Sequence, residues 1–316
     1  MKCELLKVQT EDQIRLDGGL FRADEVSSTN SVSDNELPRS DFRGDDSKGD
    51  DLSRQTRSPV DLVIFIPGVG SNFYQTGILG KWVPIFNQAG ISLLSINTRG
   101  HDFLFRNGQR WLGAAVERVD ECRLDIAAWV NRAVRDGFQR IVLVGHSLGA
   151  VKTIYSQAVD PLLEVKGLVA LSPSCLSASR FAASSAGSRY QNCLNQAKME
   201  IESGNGSQPL EVDFPFRLMM SPDTFLDKYG DQEKYNVLRL LPRVGKPTLV
   251  TFGEKEVRSS NPAFEDLDHQ LRPMMNEGGN AATKRFDMEV LPESDHYYSG
   301  MQRELARRVL EWLNKQ

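Results

Sequence analysis

What this chain of 316 residues has little of narrows it first. It holds no run of 18 apolar residues, so no helix is expected to cross a membrane. The formal net charge of −4 is mild and gives no reason to expect nucleic acid or an anionic membrane as partner. The opening Met1-Lys2-Cys3-Glu4-Leu5-Leu6-Lys7 lacks the apolar core of a secretory signal. Cysteine is scarce, and Cys3, Cys122, Cys175 and Cys193 are scattered without metal-ligand spacing. They read as free thiols, which predicts a cytoplasmic protein with no metal site. Histidine is equally scarce, and any imidazole chemistry must use His101, His146, His269 or His296.

What is present begins with an N-terminal hairpin in residues 1–23, with strands expected at 4–9 and 13–22 around a Thr10-Glu11-Asp12 turn. Residues 24–58 then carry eight serines and fourteen charged residues against five scattered apolar ones. Such a stretch buries too little surface to offset its ordering entropy, so it is expected to be a disordered insertion. Its alternative reading is a regulatory or partner-binding loop. From residue 61 onward, apolar runs at 61–66, 91–97, 141–144 and 167–173 alternate with helical patterns expected at 81–89, 111–117, 119–136 and 151–158. Continuous apolar strands separated by helices mean βαβ units and a parallel sheet buried on both faces.

The alternation breaks at residues 174–244, before the next strand at 247–253. This stretch concentrates Phe214, Phe216, Met219 and Phe225, and an insertion of such length over a sheet edge would act as a lid lining an apolar pocket. Those four residues and His146 are the candidate pocket residues. A helix is expected at 263–276, a last strand at 285–291 and a closing amphipathic helix at 301–313. Residues 59–173 and 245–316 thus form the expected core.

The chemistry centres on Gly145-His146-Ser147-Leu148-Gly149, which follows the apolar run at 141–144 and precedes a helix. This is the strand, sharp turn and helix of a nucleophile elbow. Glycines two residues on either side of Ser147 let strand and helix pack closely, and the helix N-terminus favours developing negative charge beside the hydroxyl. A serine nucleophile needs a base and an acid to orient that base, in the chain order Ser, acid, His on such a sheet. His101 and His146 come too early, and His269 sits in a charged helical pattern. His296, between the last strand and the last helix, is the expected base. Glu254 and Glu256 both follow the 247–253 strand, and Glu256 is preferred. Asp295 adjoins His296 in sequence, where the geometry for orienting its ring is seldom met. The glycine-rich loop Pro67-Gly68-Val69-Gly70 would offer backbone N–H groups to an oxyanion.

Taken with Asn97-Thr98-Arg99-Gly100-His101 and Asp295-His296, these motifs resemble an α/β-hydrolase-fold serine hydrolase of the esterase and lipase kind. The resemblance covers residues 61–173 and 245–316. It implies an oxyanion hole from the Val69 and Leu148 amides, and it places the acid at Glu256. Two departures stand out: the first loop begins Pro67-Gly68 rather than His-Gly, and the acid is Glu rather than the commoner Asp. A weaker resemblance, in Arg99-Gly100-His101-Asp102 and the region from Trp111 to Trp129, is to a branch whose fungal members are similar to siderophore esterases; that substrate is not carried over.

The expectation is an enzyme cleaving a carboxylic ester through Ser147, His296 and Glu256, with a small-molecule acyl substrate and no cofactor. A thioesterase, lactonase, amidase or cofactor-free haloperoxidase would use the same three residues. A ligand-binding protein on a hydrolase scaffold is the rival of a different class.

Overall fold

The computed structural model describes residues 2–23, 59–75, 77–276 and 286–316. The insertion expected at 24–58, and the first residue of the strand expected at 285–291, lie outside the described residues. In chain order the strands are β1 (Glu4–Gln9), β2 (Arg15–Phe21), β3 (Leu62–Ile66), β4 (Ser92–Ile96), a short hairpin of β5 (Phe105–Asn107) and β6 (Arg110–Leu112), then β7 (Ile141–His146) and β8 (Val165–Leu171). A second short hairpin, β9 (Leu210–Val212) and β10 (Leu218–Met220), is followed by β11 (Thr248–Gly253) and β12 (Asp287–Leu291).

Eight of these make one sheet in the order β1-β2-β4-β3-β7-β8-β11-β12. The first two strands enter antiparallel, and every pairing from β4 to β12 is parallel. Every residue of β3, β4, β7 and β11 is buried. The period-2 alternation of a strand divides them between two cores. Leu62, Ile64 and Ile66 pack with helices Cys122–Arg135 and Leu148–Val159, while Val63 and Phe65 pack with helices Gly77–Gln88 and Gln302–Leu313. Each such side chain contributes roughly 1.5–3 kcal/mol over leaving it exposed.

Strand β3 lies between β4 on one side and β7 on the other, so the chain reverses its direction of winding there. The loops after β3 and β7 leave the same sheet edge at a topological switch point, where open α/β sheets hold their ligands. Residues between β8 and β11 form the insertion, with helices Ala178–Ala183, Gly187–Glu202, Pro222–Tyr229 and Val237–Leu240 around the β9–β10 hairpin. One start is written locally: Ser221 Oγ accepts the Thr224 N–H at 3.2 Å, with Pro222 at the first helical position.

Three helix expectations are corrected. The segment 111–117 forms strand β6 and a turn. Its signal was Gly108, at φ +63° in a two-residue hairpin loop between Asn107 and Arg110. The helix expected at 263–276 is only Leu267–Leu271, continued by a 3-10 turn at Arg272–Asn276. The helix expected to start at residue 81 instead runs Gly77–Gln88, with Pro84 inside it.

Candidate active site

Ser147 sits at the end of β7 with φ +57° and ψ −122°, a backbone conformation that an L-residue adopts only when its surroundings impose it. Its N–H donates to the Leu171 carbonyl at 2.9 Å, which ties the turn to β8. The flanking glycines are required by contact. A Cβ on Gly145 would lie 2.2 Å from the Gly149 carbonyl oxygen, and one on Gly149 would lie 2.1 Å from that of Ile66. Helix Leu148–Val159 starts immediately after the serine, so the Leu148 amide belongs to its unpaired first turn. Val69, on the loop after β3, lines the same cavity as Ser147 and Leu148. Neither amide donates to a backbone carbonyl among the described residues.

The predicted base and acid meet from loops 40 residues apart. His296 Nδ1 lies 2.7 Å from Glu256 Oε2. That contact occupies Nδ1 and leaves Nε2 as the ring nitrogen available for proton transfer. Glu256 is in the short helix Glu254–Val257, and its Oε1 accepts the Gly253 N–H at 2.8 Å and the Ser172 hydroxyl at 2.5 Å. Ser172 Oγ in turn lies 2.8 Å from the Tyr298 hydroxyl, itself 2.7 Å from Thr251 Oγ1. Burial and the Glu256 carboxylate push the Tyr298 phenol upward, so it remains protonated. Sequence reasoning missed this supporting chain, since Thr251, Ser172 and Tyr298 lie on three separate segments. Glu254 instead accepts the Glu293 N–H at 3.0 Å, and Asp295 is engaged by the N–H groups of Tyr297 and Ser299 at 3.0 and 2.9 Å.

The His146 ring lies tilted by 41° against that of His296 with centroids 4.8 Å apart, and its Nε2 lies 2.8 Å from the His296 carbonyl oxygen. A carbonyl only accepts, so this nitrogen carries the proton. Burial first, and the neighbouring His296 second, lower the His146 pKa from 6.5 to about 4. The ring is therefore a neutral tether between elbow and base loop. Of the other histidines, His101 Nδ1 contacts Asp102 Oδ2 at 2.8 Å, and His269 is largely exposed beside Asp268.

Two cavities meet at Ser147, His296, Val69 and Tyr297. One has a volume of about 420 Å³ and is walled by Leu176, Phe181, Phe216, Leu218, Tyr229 and Phe264. The other, about 160 Å³, is walled by Gly68, Gly70, Ser71, Gln75 and His146. Of the expected pocket residues, Phe216 lines the larger cavity and His146 the smaller. Phe214, Met219 and Phe225 line neither, which corrects that expectation. Strand alternation turns Leu218 to the cavity and Met219 to the opposite face of β10, 38% exposed. Phe214 is spent on a buried edge-to-face cluster with Phe181, Tyr190 and Tyr229, and Phe225 packs on Tyr229. Phe181 and Phe264 were the missed wall residues, and apolar composition alone carried no signal for which side chains face inward. Among the described residues, no group of three or more His, Cys, Asp or Glu could hold a metal ion.

The chain belongs to the alpha/beta hydrolase family, which its residues 63–309 match. Solved structures agree in fold. An alpha/beta hydrolase from Penicillium sp. sh18 aligns with a TM-score of 0.65 at 17% identity, covering 100% of this chain and 99% of that one. An esterase from Pyrococcus furiosus aligns at 0.60 and 16% identity, over 99% and 91% of the two chains. A ferulic acid-bound esterase from Butyrivibrio proteoclasticus aligns at 0.59 and 15%, over 98% of each. Among curated proteins none matches the sequence. No helix of the described residues is long and apolar enough to cross a membrane.

Proposed function

We propose that this protein is a serine hydrolase that cleaves a carboxylic ester or a related acyl bond of a small molecule. The observation that carries the reading is the 2.7 Å contact of Glu256 with His296 Nδ1, on a ring that shares a cavity wall with the strained Ser147. In this mechanism His296 Nε2 takes the Ser147 proton as Oγ attacks the acyl carbon, and returns it to the leaving group. Glu256 fixes the ring's tautomer and stabilises the imidazolium. The Val69 and Leu148 amides bind the oxyanion, and loss of one such donor typically costs about 100- to 1000-fold in rate. Water then releases the acyl group by the same steps. The 174–244 insertion acts as the lid and supplies apolar wall.

Two neighbours named as esterases, and a monoacylglycerol lipase from Paleococcus ferrophilus with a TM-score of 0.56 at 17% identity, favour ester chemistry over thioester, lactone or amide. The unpaired thiols fit a cytoplasmic setting. Intact-mass labelling with a fluorophosphonate tests the assignment. One adduct is expected on the native chain and none on Ser147→Ala or His296→Ala. No adduct on the native chain, with stoichiometric ligand binding that persists in Ser147→Ala, would favour the ligand-binding protein instead.

A further inference from the structure

The larger cavity is apolar along most of its wall, yet two largely buried residues of that wall carry hydroxyls with no partner in the protein. Ser174 and Tyr229 are each 9% exposed and both line it. Neither hydroxyl has a hydrogen-bond partner among the described residues. Their polar neighbours are differently placed. Ser259 Oγ donates to the Glu256 carbonyl at 2.6 Å, and Asn261 Oδ1 accepts the Ala263 N–H at 3.1 Å. The Tyr229 main chain is also engaged, its carbonyl accepting from the Tyr190 hydroxyl at 2.8 Å. Burial, and then the Glu117 carboxylate nearby, raise the Tyr229 phenol, so it stays neutral and protonated. A hydroxyl that opens on a binding cavity and is not engaged by the protein is left to bond whatever enters that cavity. Each hydroxyl can donate once and accept as well, so it recognises oxygen rather than hydrocarbon.

Charge is arranged the other way. The cavity's cation, Lys255, is 61% exposed and lies 3.7 Å from Glu293, so it sits toward solvent with a carboxylate beside it. The ionisable groups Glu256, Asp295 and His296 gather on the side of the base loop, and the rest of the wall offers mainly aromatic and aliphatic faces and neutral polar groups, which suits an uncharged group. The two unequal cavities suit a substrate whose halves differ in size.

We infer that the substrate is a neutral ester whose larger, apolar half carries a hydroxyl, ether or keto oxygen that bonds Ser174 or Tyr229. This rests on the serine-hydrolase reading and adds a specificity that the reading does not contain.

Two mirrored ester sets test it: methyl phenylpropanoate with its ring-hydroxylated analogues, and phenethyl acetate with its own. In the native chain, at least one hydroxylated ester should exceed its parent by about tenfold in kcat/KM, the worth of one well-made neutral hydrogen bond. That ratio should fall toward one in Tyr229→Phe or in Ser174→Ala. Fluorophosphonate labelling of each variant checks that the nucleophile and fold survive. A labelled native chain that shows no preference for, or no turnover of, any hydroxylated ester overturns the proposal. So does a preference that survives in both variants, because the hydroxyls would then be satisfied by water alone. Absence of labelling in the native chain would instead sink the hydrolase reading itself.

Discussion

Glu256 and Glu117 are both buried carboxylates, 6% and 3% exposed, yet their surroundings have almost nothing in common. Glu256 is held by an amide N–H, a hydroxyl and an imidazole. Glu117 faces two buried ammonium groups, Lys152 Nζ at 2.5 Å and Lys228 Nζ at 3.0 Å. The angles there fall outside hydrogen-bond geometry, so these are charge contacts. Burial by itself would raise the Glu117 pKa, but the two lysines outweigh it and hold the carboxyl down at about 2. Lys152 is on the helix that follows Ser147, and Lys228 is on the insertion helix Pro222–Tyr229. The difference has a physical meaning. The carboxylate beside the candidate base is held by hydrogen-bond donors, whereas the one that pins two elements together is neutralised by permanent charge.

The largest effect is expected from Glu256→Gln. On the proposed mechanism it should lower kcat/KM by about ten-thousandfold, the scale seen when an orienting carboxylate is lost and the wrong tautomer results. The melting temperature should barely move. A loss under tenfold, measured with any turned-over ester, would remove Glu256 from the mechanism. Glu117→Gln should do the reverse and destabilise the protein by about 3–5 kcal/mol, because two buried cations lose their partner. Urea unfolding reads this directly, and a change below about 1 kcal/mol would show that the lysines find other compensation.

The smallest effect is one of pH. The His146 pKa is depressed from 6.5 to about 4 in the folded chain, so the neutral ring is favoured there. Its contribution is fully present above about pH 6.5 and is lost as pH falls toward 4, at no more than about 1.4 kcal/mol per pH unit. Glu117 acts in a lower window, losing its contribution as pH falls from about 4.5 toward 2. Unfolding free energies measured between pH 7 and 4 should therefore slope downward, and His146→Gln should flatten that slope. An unchanged slope would mean that other groups carry the acid sensitivity.

Much of this molecule was legible before any coordinates. The elbow is a local object, since strand, turn and helix lie within one short stretch and Gly145 and Gly149 mark the close approach. His296 was found by elimination in a chain with only four histidines. Glu256 was preferred over Glu254 on the sequence, although both follow the same strand. The register of one short helix decides which reaches the ring and which turns to the Glu293 amide. The pocket was read least well. Phe214 and Phe216 are two residues apart with the same chemistry, and only one lines the cavity.

Sequence alone was enough for the parallel βαβ core, the position of the elbow and the identity of the candidate base. Those depend on periodicity, local turn chemistry and composition, all written in neighbouring residues. Only the tertiary structure decided the Ser172–Tyr298 support behind Glu256, the Glu117 charge cluster and the two unpaired hydroxyls in the cavity. Each joins side chains from segments far apart in the chain, and whether a polar atom is satisfied depends on what the fold carries to it.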